Sequence, residues 1–149
     1  IPNIESIYVN SEGIIEIREA DSDVDIPLYQ YGEGANKLFR ILILLSIYKG
    51  EVLLIDEIDA GIHYSRFRDF WRVILTVAKR QNTQIFATTH NEECISFFTQ
   101  VLCENDFSDG FKEKSRIIQL KQILNEISVR TYEFDSMKMA FDMDIEIRG

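Results

Sequence analysis

The sequence predicts an α/β fold in which parallel strands are flanked by helices, with a β-hairpin at the N-terminal end. Two observations carry this. Val52–Asp56 (VLLID) and Gln84–Thr88 (QIFAT) are short, almost unbroken apolar runs, the pattern of strands covered on both faces of a parallel sheet. Between them, Phe67, Phe70, Trp71, Ile74 and Ala78 fall at helical spacing and predict a helix over about Ser65–Arg80. Strand, helix, strand in that order is a right-handed crossover.

The remaining elements follow in chain order. Residues 4–9 and 14–18 are rich in β-branched side chains around Asn10-Ser11-Glu12-Gly13, which reads as a hairpin. An acidic stretch, Glu19–Asp25, reads as a solvated loop, and Pro27 opens a short extended segment. Gly32-Glu33-Gly34 precedes a helix of about Ala35–Tyr48, apolar nearly all round and therefore expected to be buried. Gly50 ends it. Lys79 and Arg80 complement the dipole at the end of the next helix. After the second apolar run, Asn91 is a candidate N-cap, with Glu92 and Glu93 in the first turn of a third helix. Beyond Cys103 come a polar loop (Glu104–Lys114), two strands (Arg116–Gln122 and Glu126–Tyr132) and a short helix near Asp135–Asp142. The reading is one domain over 1–149, with a hairpin and loop at 1–30, a central core at 31–103 and C-terminal strands and helix at 104–149.

Sixteen basic against 25 acidic residues give a net charge of −9. Such a field repels nucleic acid and anionic lipid overall, so phosphate binding has to be local, through backbone dipoles or a metal. No basic stripe with interleaved aromatics marks a nucleic-acid surface. Cys94 and Cys103 are too few for a disulfide framework and lie on one predicted helix, which fits a reducing, cytoplasmic setting. No apolar run is long enough to cross a bilayer, so no membrane partner is expected. The first residue is Ile1 rather than Met, which suggests a piece of a longer protein.

The chemistry concentrates at the ends of the two apolar runs. In open α/β sheets, ligands bind outside the carboxyl ends of parallel strands. Asp56 and Glu57 end one strand; Thr88, Thr89 and His90 end the other. A buried strand ending in Asp-Glu suits metal-assisted phosphoryl transfer, in which the first carboxylate holds Mg²⁺ and the second orients or deprotonates water. A lone carboxylate in this place more often caps a loop or pairs with a Lys. The carboxylate pair and a neighbouring Thr-Thr-His together favour the functional reading. Gly32, Glu33 and Gly34 at a helix N-terminus would expose backbone N–H groups to an anion, although a Gly-x-Gly before a helix is by itself more often a tight turn. Trp71 and its Phe neighbours read as core, and Cys94 as a small buried hydrophobe.

The order YGEG, helix, VLLIDEIDAGIH, helix, QIFATTHNEEC resembles the C-terminal half of an ABC-type ATPase head, over about Tyr31–Phe98. Within that group it is most similar to the OLD (overcoming lysogenization defect), RecF and SMC branch. The closing RTYEFDSMKMAFDMDIEIRG resembles the end of the ATPase part of OLD-like heads. The resemblance implies a partial P-loop NTPase lobe that uses ATP and Mg²⁺. It implies Asp56 as the Walker B aspartate on Mg²⁺, Glu57 as the catalytic glutamate that polarises water, and His90 as the switch histidine at the γ-phosphate. Gly32, Glu33 and Gly34 would form the signature loop, which meets nucleotide held by a second subunit. Ala60–His63 would be the D-loop at the dimer interface.

Two positions depart from the family pattern: Gly32 stands where the signature has a serine, and His63 where the D-loop has an aspartate. No G-x-x-x-x-G-K-[ST] occurs in the chain, so the phosphate cradle is expected on an N-terminal Walker A lobe outside it. The resemblance further implies a homodimer of the full-length protein and, by analogy, DNA or a nuclease module as partner, in DNA repair or phage defence. Three alternatives stand beside it: a DExD-helicase-like lobe built on Asp56-Glu57-Ile58-Asp59, a metal-dependent nuclease using these acids with His63 or His90, and a non-catalytic dimerisation or regulatory lobe.

Overall fold

A computed structural model describes residues 4–107, 110–124 and 126–143. The first sheet forms around Asn10, whose side-chain Oδ1 accepts from the backbone N–H groups of Glu12 at 2.9 Å and Ile14 at 3.0 Å, an Asx turn that mimics a backbone turn. It joins β1 (Ile4–Val9) to β2 (Ile15–Glu19), antiparallel with Val9 opposite Ile15. A third strand, β3 (Asp25–Pro27), pairs with the far edge of β2. The acidic stretch expected as a solvated loop therefore ends inside the sheet. Asp25 receives two 2.7 Å bonds from the Arg18 guanidinium across the strands, which hold its carboxyl below the usual carboxylate range.

The central unit is the crossover expected from the sequence. α1 (Glu33–Ile47) leads to β4 (Val52–Ile55), α2 (Phe67–Gln81), β5 (Gln84–Ala87) and α3 (Glu92–Leu102). β4 and β5 pair in parallel, Leu53 beside Ile85 and Leu54 beside Phe86. α2 starts after a 3-10 turn at Tyr64–Arg66 and ends where Asn82 turns left-handed at φ 53°, its N–H donating back to the Ala78 and Lys79 carbonyls. Its apolar face is the centre of the core: Phe67, Phe70, Trp71, Ile74, Leu75 and Ala78 are all buried. The Trp71 indole N–H donates to the Cys94 carbonyl at 2.9 Å and the ring lies 4.9 Å from Phe98, fastening α2 to α3.

The expected burial of the strands on both faces holds for one face only. Leu53, Ile55 and Ile85 pack against the helical core. Val52, Leu54 and Phe86, which alternate with them, are 55%, 75% and 49% exposed. The helix expected to be buried all round meets the same correction: Ile41 and Leu45 are buried, while Ile43, Leu44 and Ile47 are exposed. The physical reason is that α1, α2 and α3 share one core, which the packed strand face joins, and no layer of the described residues covers the other sides.

C-terminal to α3, the segment expected as a polar loop carries an apolar anchor: Phe107 is fully buried and stacks near Phe111. β6 (Arg116–Ile123) and β7 (Glu126–Glu133) form an antiparallel hairpin, followed by α4 (Phe134–Asp142), whose Met137 and Ala140 close the core. The last residues of the RTYEFDSMKMAFDMDIEIRG segment, 144–149, lie outside the described residues. Glu104, just past α3, accepts from both Arg68 and Arg72 of α2 at 2.8–3.1 Å. The Arg72 hydrogen bond, the largest cause, holds its carboxyl below the ordinary value; burial opposes it, and Arg68 adds a smaller lowering.

Two outcomes test this packing. Trp71→Ala removes the largest ring of the α2–α3 contact and its hydrogen bond, and is expected to cost about 3–5 kcal/mol in denaturant unfolding. Because the folded-state pKa of Glu104 is depressed, its contribution is fully present above the unfolded carboxylate value and is lost as pH falls through the lower folded value. Unfolding of wild type and Glu104→Gln compared across pH should show a stability gap at neutral pH that closes on acidification below about 4.5. A gap that persists unchanged at acid pH would contradict the ion-pair account.

Candidate functional site

The site is built where β4 and β5 end side by side. Pairing continues past both strands: the Thr88 N–H donates to the Ile55 carbonyl at 3.0 Å, and the Ile58 N–H donates to the Thr88 carbonyl at 2.9 Å. Asp56 and Glu57 therefore leave β4 directly beside Thr88 and Thr89 leaving β5. The Thr88 hydroxyl works in both directions. It accepts from the Glu57 backbone N–H at 2.9 Å and donates to the Asp56 carboxylate. The Thr89 hydroxyl donates to the Asp59 carboxylate and accepts from the Asn91 N–H at 3.0 Å. Asn91 in turn caps α3, its side chain accepting from the Cys94 N–H at 3.1 Å. Ile58 between the acids is fully buried, while Asp56, Glu57 and His90 are exposed.

Glu57 has φ 46°, the left-handed region, without being glycine. For an L-residue with a long side chain this costs roughly 1–2 kcal/mol, so the surrounding bonds have to hold it there. One of them comes from α1: the Lys37 ammonium donates to the Glu57 carbonyl and to the Ala60 carbonyl, the latter at 3.3 Å. The helix expected from Ala35 begins two residues earlier, so Glu33 and Gly34 form the first turn of α1, and this glycine stretch approaches the same turn. A Cβ on Gly34 would stand 2.8 Å from the Gly61 carbonyl oxygen, and a Cβ on Gly61, which has φ 77°, would stand 2.7 Å from Cγ of Glu33. Gly32, at φ 88°, is the residue before α1, and its carbonyl is held by the Asn36 side chain at 2.8 Å.

The structure thus brings Gly34 and Glu33 against the turn that follows Asp56 and Glu57, and the β5 end against Asp56. His63 goes elsewhere. It precedes the 3-10 turn at Tyr64–Arg66, its Nδ1 lies 2.9 Å from the Ser65 hydroxyl, and its ring lies 4.4 Å from that of Tyr64. Asp59 is bound to the end of β5 through Thr89. Sequence reasoning passed over Thr88, Thr89 and Lys37 as structural supports. The two threonines were in view as strand-end residues, and pairing the strand ends in parallel would have placed them on the acids. Lys37 carried no comparable signal.

Among the described residues no group of three or more His, Cys, Asp or Glu converges as a metal cage. Asp56 alone nonetheless suits Mg²⁺, which is commonly held by one or two carboxylates, with substrate phosphates and water completing its shell. The carboxylate is exposed at the strand end with one oxygen accepting from Thr88.

Residues 3–96 match the family described as "AAA domain, putative AbiEii toxin, Type IV TA system". The chain belongs to this AAA-domain family. An "ATP/GTP phosphatase" of Helicobacter pylori is 27% identical over 150 residues, covering 99% of this chain and 40% of that protein. "Uncharacterized protein MJECL11" of Methanocaldococcus jannaschii is 29% identical over 119 residues, covering 79% of this chain and 99% of that protein. The chain thus spans less than half the length of the first relative and nearly the whole length of the second. A solved structure from work on ATP-driven dimerization and DNA-stimulated activation of SMC ATPases superposes with a TM-score of 0.58 at 16% identity, over 97% of this chain and 84% of that one. That likeness shows a P-loop NTPase-like fold. No helix among the described residues is long and apolar enough to cross a membrane.

The contact between the glycine loop and the turn after Glu57 gives one direct test. Gly34→Ala drives a methyl group into the Gly61 carbonyl, a backbone atom that cannot rotate aside, so the two loops must part. The expected outcome is a loss of about 1–3 kcal/mol in unfolding stability, with increased amide exchange at Gly61 and Ile62. An Ala variant as stable as wild type would mean that the loops do not touch in solution.

Proposed function

We propose that this chain is the C-terminal part of an ABC-class, OLD-like ATPase head. Asp56 is its Walker B aspartate, Glu57 its water-orienting glutamate, His90 its switch histidine, and Gly32–Gly34 its signature loop. The observation that carries the reading is the convergence on one edge. Two adjacent parallel strands end in Asp56-Glu57 and Thr88-Thr89-His90, and the glycine stretch at the start of α1 lies against the turn that follows Glu57. Carboxyl ends of parallel strands are where open α/β sheets place ligands.

ATP is the substrate on this reading. The AAA-domain family, the nucleoside triphosphate named for the Helicobacter pylori relative and the ATPase named for the solved structure all support it. Mg²⁺ would be held at Asp56 and would neutralise charge on the transferring phosphoryl group. Thr88 holds the Asp56 carboxylate and the Glu57 backbone N–H together, so the Asp56 carboxylate and the backbone that bears Glu57 are tied to one point. An exposed glutamate carboxylate one residue beyond Asp56 can accept a proton from, or orient, an attacking water.

The α/β- and β/γ-phosphates need a P-loop, which this chain does not contain. The open apolar side of β4 and β5 supports a further lobe there, since parallel strands are ordinarily covered on both faces. That lobe would bring the Walker A loop. A second copy of the complete protein would bring its own glycine loop to the nucleotide, as an ATP-driven dimer. DNA handling or a nuclease module, in repair or phage defence, is the downstream role that family analogy suggests. His63, turned toward Ser65 and Tyr64, is assigned to the D-loop and to no step of the chemistry. The metal-nuclease alternative lacks a ligand set among the described residues.

In the complete protein, Glu57→Gln should abolish ATP turnover, by about 10²-fold or more on the scale of a lost general base, and leave nucleotide-loaded dimers detectable by size-exclusion chromatography. Normal hydrolysis by that variant would remove Glu57 from the mechanism.

A further inference from the structure

Lys37 lies in the first turns of α1, close to the positive end of the helix dipole. A cation there is unfavourable for the helix alone, since lysine complements the opposite end. Its ammonium instead leaves the helix and donates to the carbonyls of Glu57 and Ala60. These carbonyls bound one turn, in which the Ala60 N–H donates to the Glu57 carbonyl at 2.9 Å. The turn contains the left-handed Glu57 at φ 46° and is followed by Gly61, packed against Glu33. The backbone angles at residue 57 determine where its side chain leaves the chain. A group that fixes the Glu57 carbonyl therefore also restrains the direction in which its side chain leaves the backbone.

We propose that Lys37 is a positioning residue that holds the Glu57 backbone in its left-handed conformation and so ties the glycine-loop helix to the carboxylate end of β4. The inference rests on the reading of Glu57 as the water-orienting acid, and it adds a route by which a displacement of the Gly32–Gly34 loop reaches that acid. The glycine loop and Lys37 belong to one continuous stretch of α1 and its N-terminus. Movement of that stretch pulls on the Glu57 carbonyl directly, while the Glu57 N–H stays bound to Thr88 at the end of the neighbouring strand. An ammonium suits this task because it has donors only and can serve two carbonyls from one point.

Two measurements on the complete protein decide it. In steady-state ATP hydrolysis, Lys37→Met should lower kcat roughly 10- to 100-fold, the scale of a misplaced catalytic group, with KM for ATP little changed. Lys37→Arg, which can reach the same carbonyls, should recover most of the loss. An unchanged kcat in Lys37→Met overturns the proposal. Thermal unfolding gives a second readout that needs no turnover. Glycine accepts positive φ without steric cost, so Glu57→Gly should raise Tm when Lys37 is present. The rise should shrink in Lys37→Met, where the backbone is free to relax. An equal rise in both backgrounds overturns the proposal. Should the wild-type protein show no ATP turnover, the ATPase reading fails by itself, and the Tm comparison still decides the role of Lys37.

Discussion

The parallel pairing of β4 with β5 is the constraint from which the site follows, because it sets two strand ends so close that short side chains span them. Thr88 and Thr89 reach only as far as a hydroxyl on Cβ. They can hold Asp56 and Asp59 because backbone bonds from Thr88 to Ile55 and from Ile58 to Thr88 keep the strands in register beyond their formal ends. A one-residue slip would send both hydroxyls to the opposite face and leave the acids without partners. That register is fixed in turn by the packed face, where Leu53, Ile55 and Ile85 lie on the core of α2, and by Trp71, which locks α2 to the helix following β5. Core packing and site geometry are here one set of contacts.

Much of this was legible in the sequence. The period of α2, the two apolar strands, the Asn91 cap and the hairpin at Asn10 each follow from local chemistry: apolar spacing, β-branched runs, a side chain that bonds its own backbone. The positions of Asp56, Glu57 and His90 at strand ends followed from the same reading. The misses have a common physical origin. An apolar run such as VLLI states that its residues avoid water, and it does not state which layer will cover them. Val52, Leu54 and Phe86, with Ile43 and Ile47 on α1, are apolar yet exposed, so burial inferred from hydrophobicity alone was right for one face and wrong for the other. Lys37 was invisible for a different reason. A lysine on a helix is ordinarily a solvated charge, and only the tertiary placement of the turn at Glu57–Ala60 gives its ammonium two carbonyls.

The exposed apolar surface and the site chemistry point the same way. A two-stranded parallel sheet with helices on one side is incomplete as a layered architecture, since sheets of this kind are stable when both faces are covered. β6 and β7 add a second open surface. Ile118 and Leu120, with Val129 and Ile127 on the paired strand, lie on one face of that hairpin and are more than half exposed. The chain also spans 40% of the Helicobacter pylori relative. A lobe supplying the P-loop is the reading of the open β4–β5 face that also answers the chemical shortfall.

That shortfall can be put in terms of donors. A nucleoside triphosphate is a polyanion, and this chain carries a net charge of −9, so the phosphates have to be met by N–H and ammonium groups placed at close range. Three polar donors at the β4–β5 edge are engaged inward. Thr88 gives its proton to Asp56, Thr89 gives its proton to Asp59, and Lys37 directs its ammonium to the carbonyls of Glu57 and Ala60. Each of these bonds orders an acid or the turn that bears one. The edge therefore holds the Asp56 and Asp59 carboxylates and the backbone that bears Glu57, an arrangement that suits a metal ion and a water molecule. On the proposed reading the phosphate donors come from outside it: a Walker A loop on one side and the backbone N–H groups of a second copy's glycine loop on the other. A site divided in this way assembles only when its parts meet, which makes nucleotide turnover depend on association.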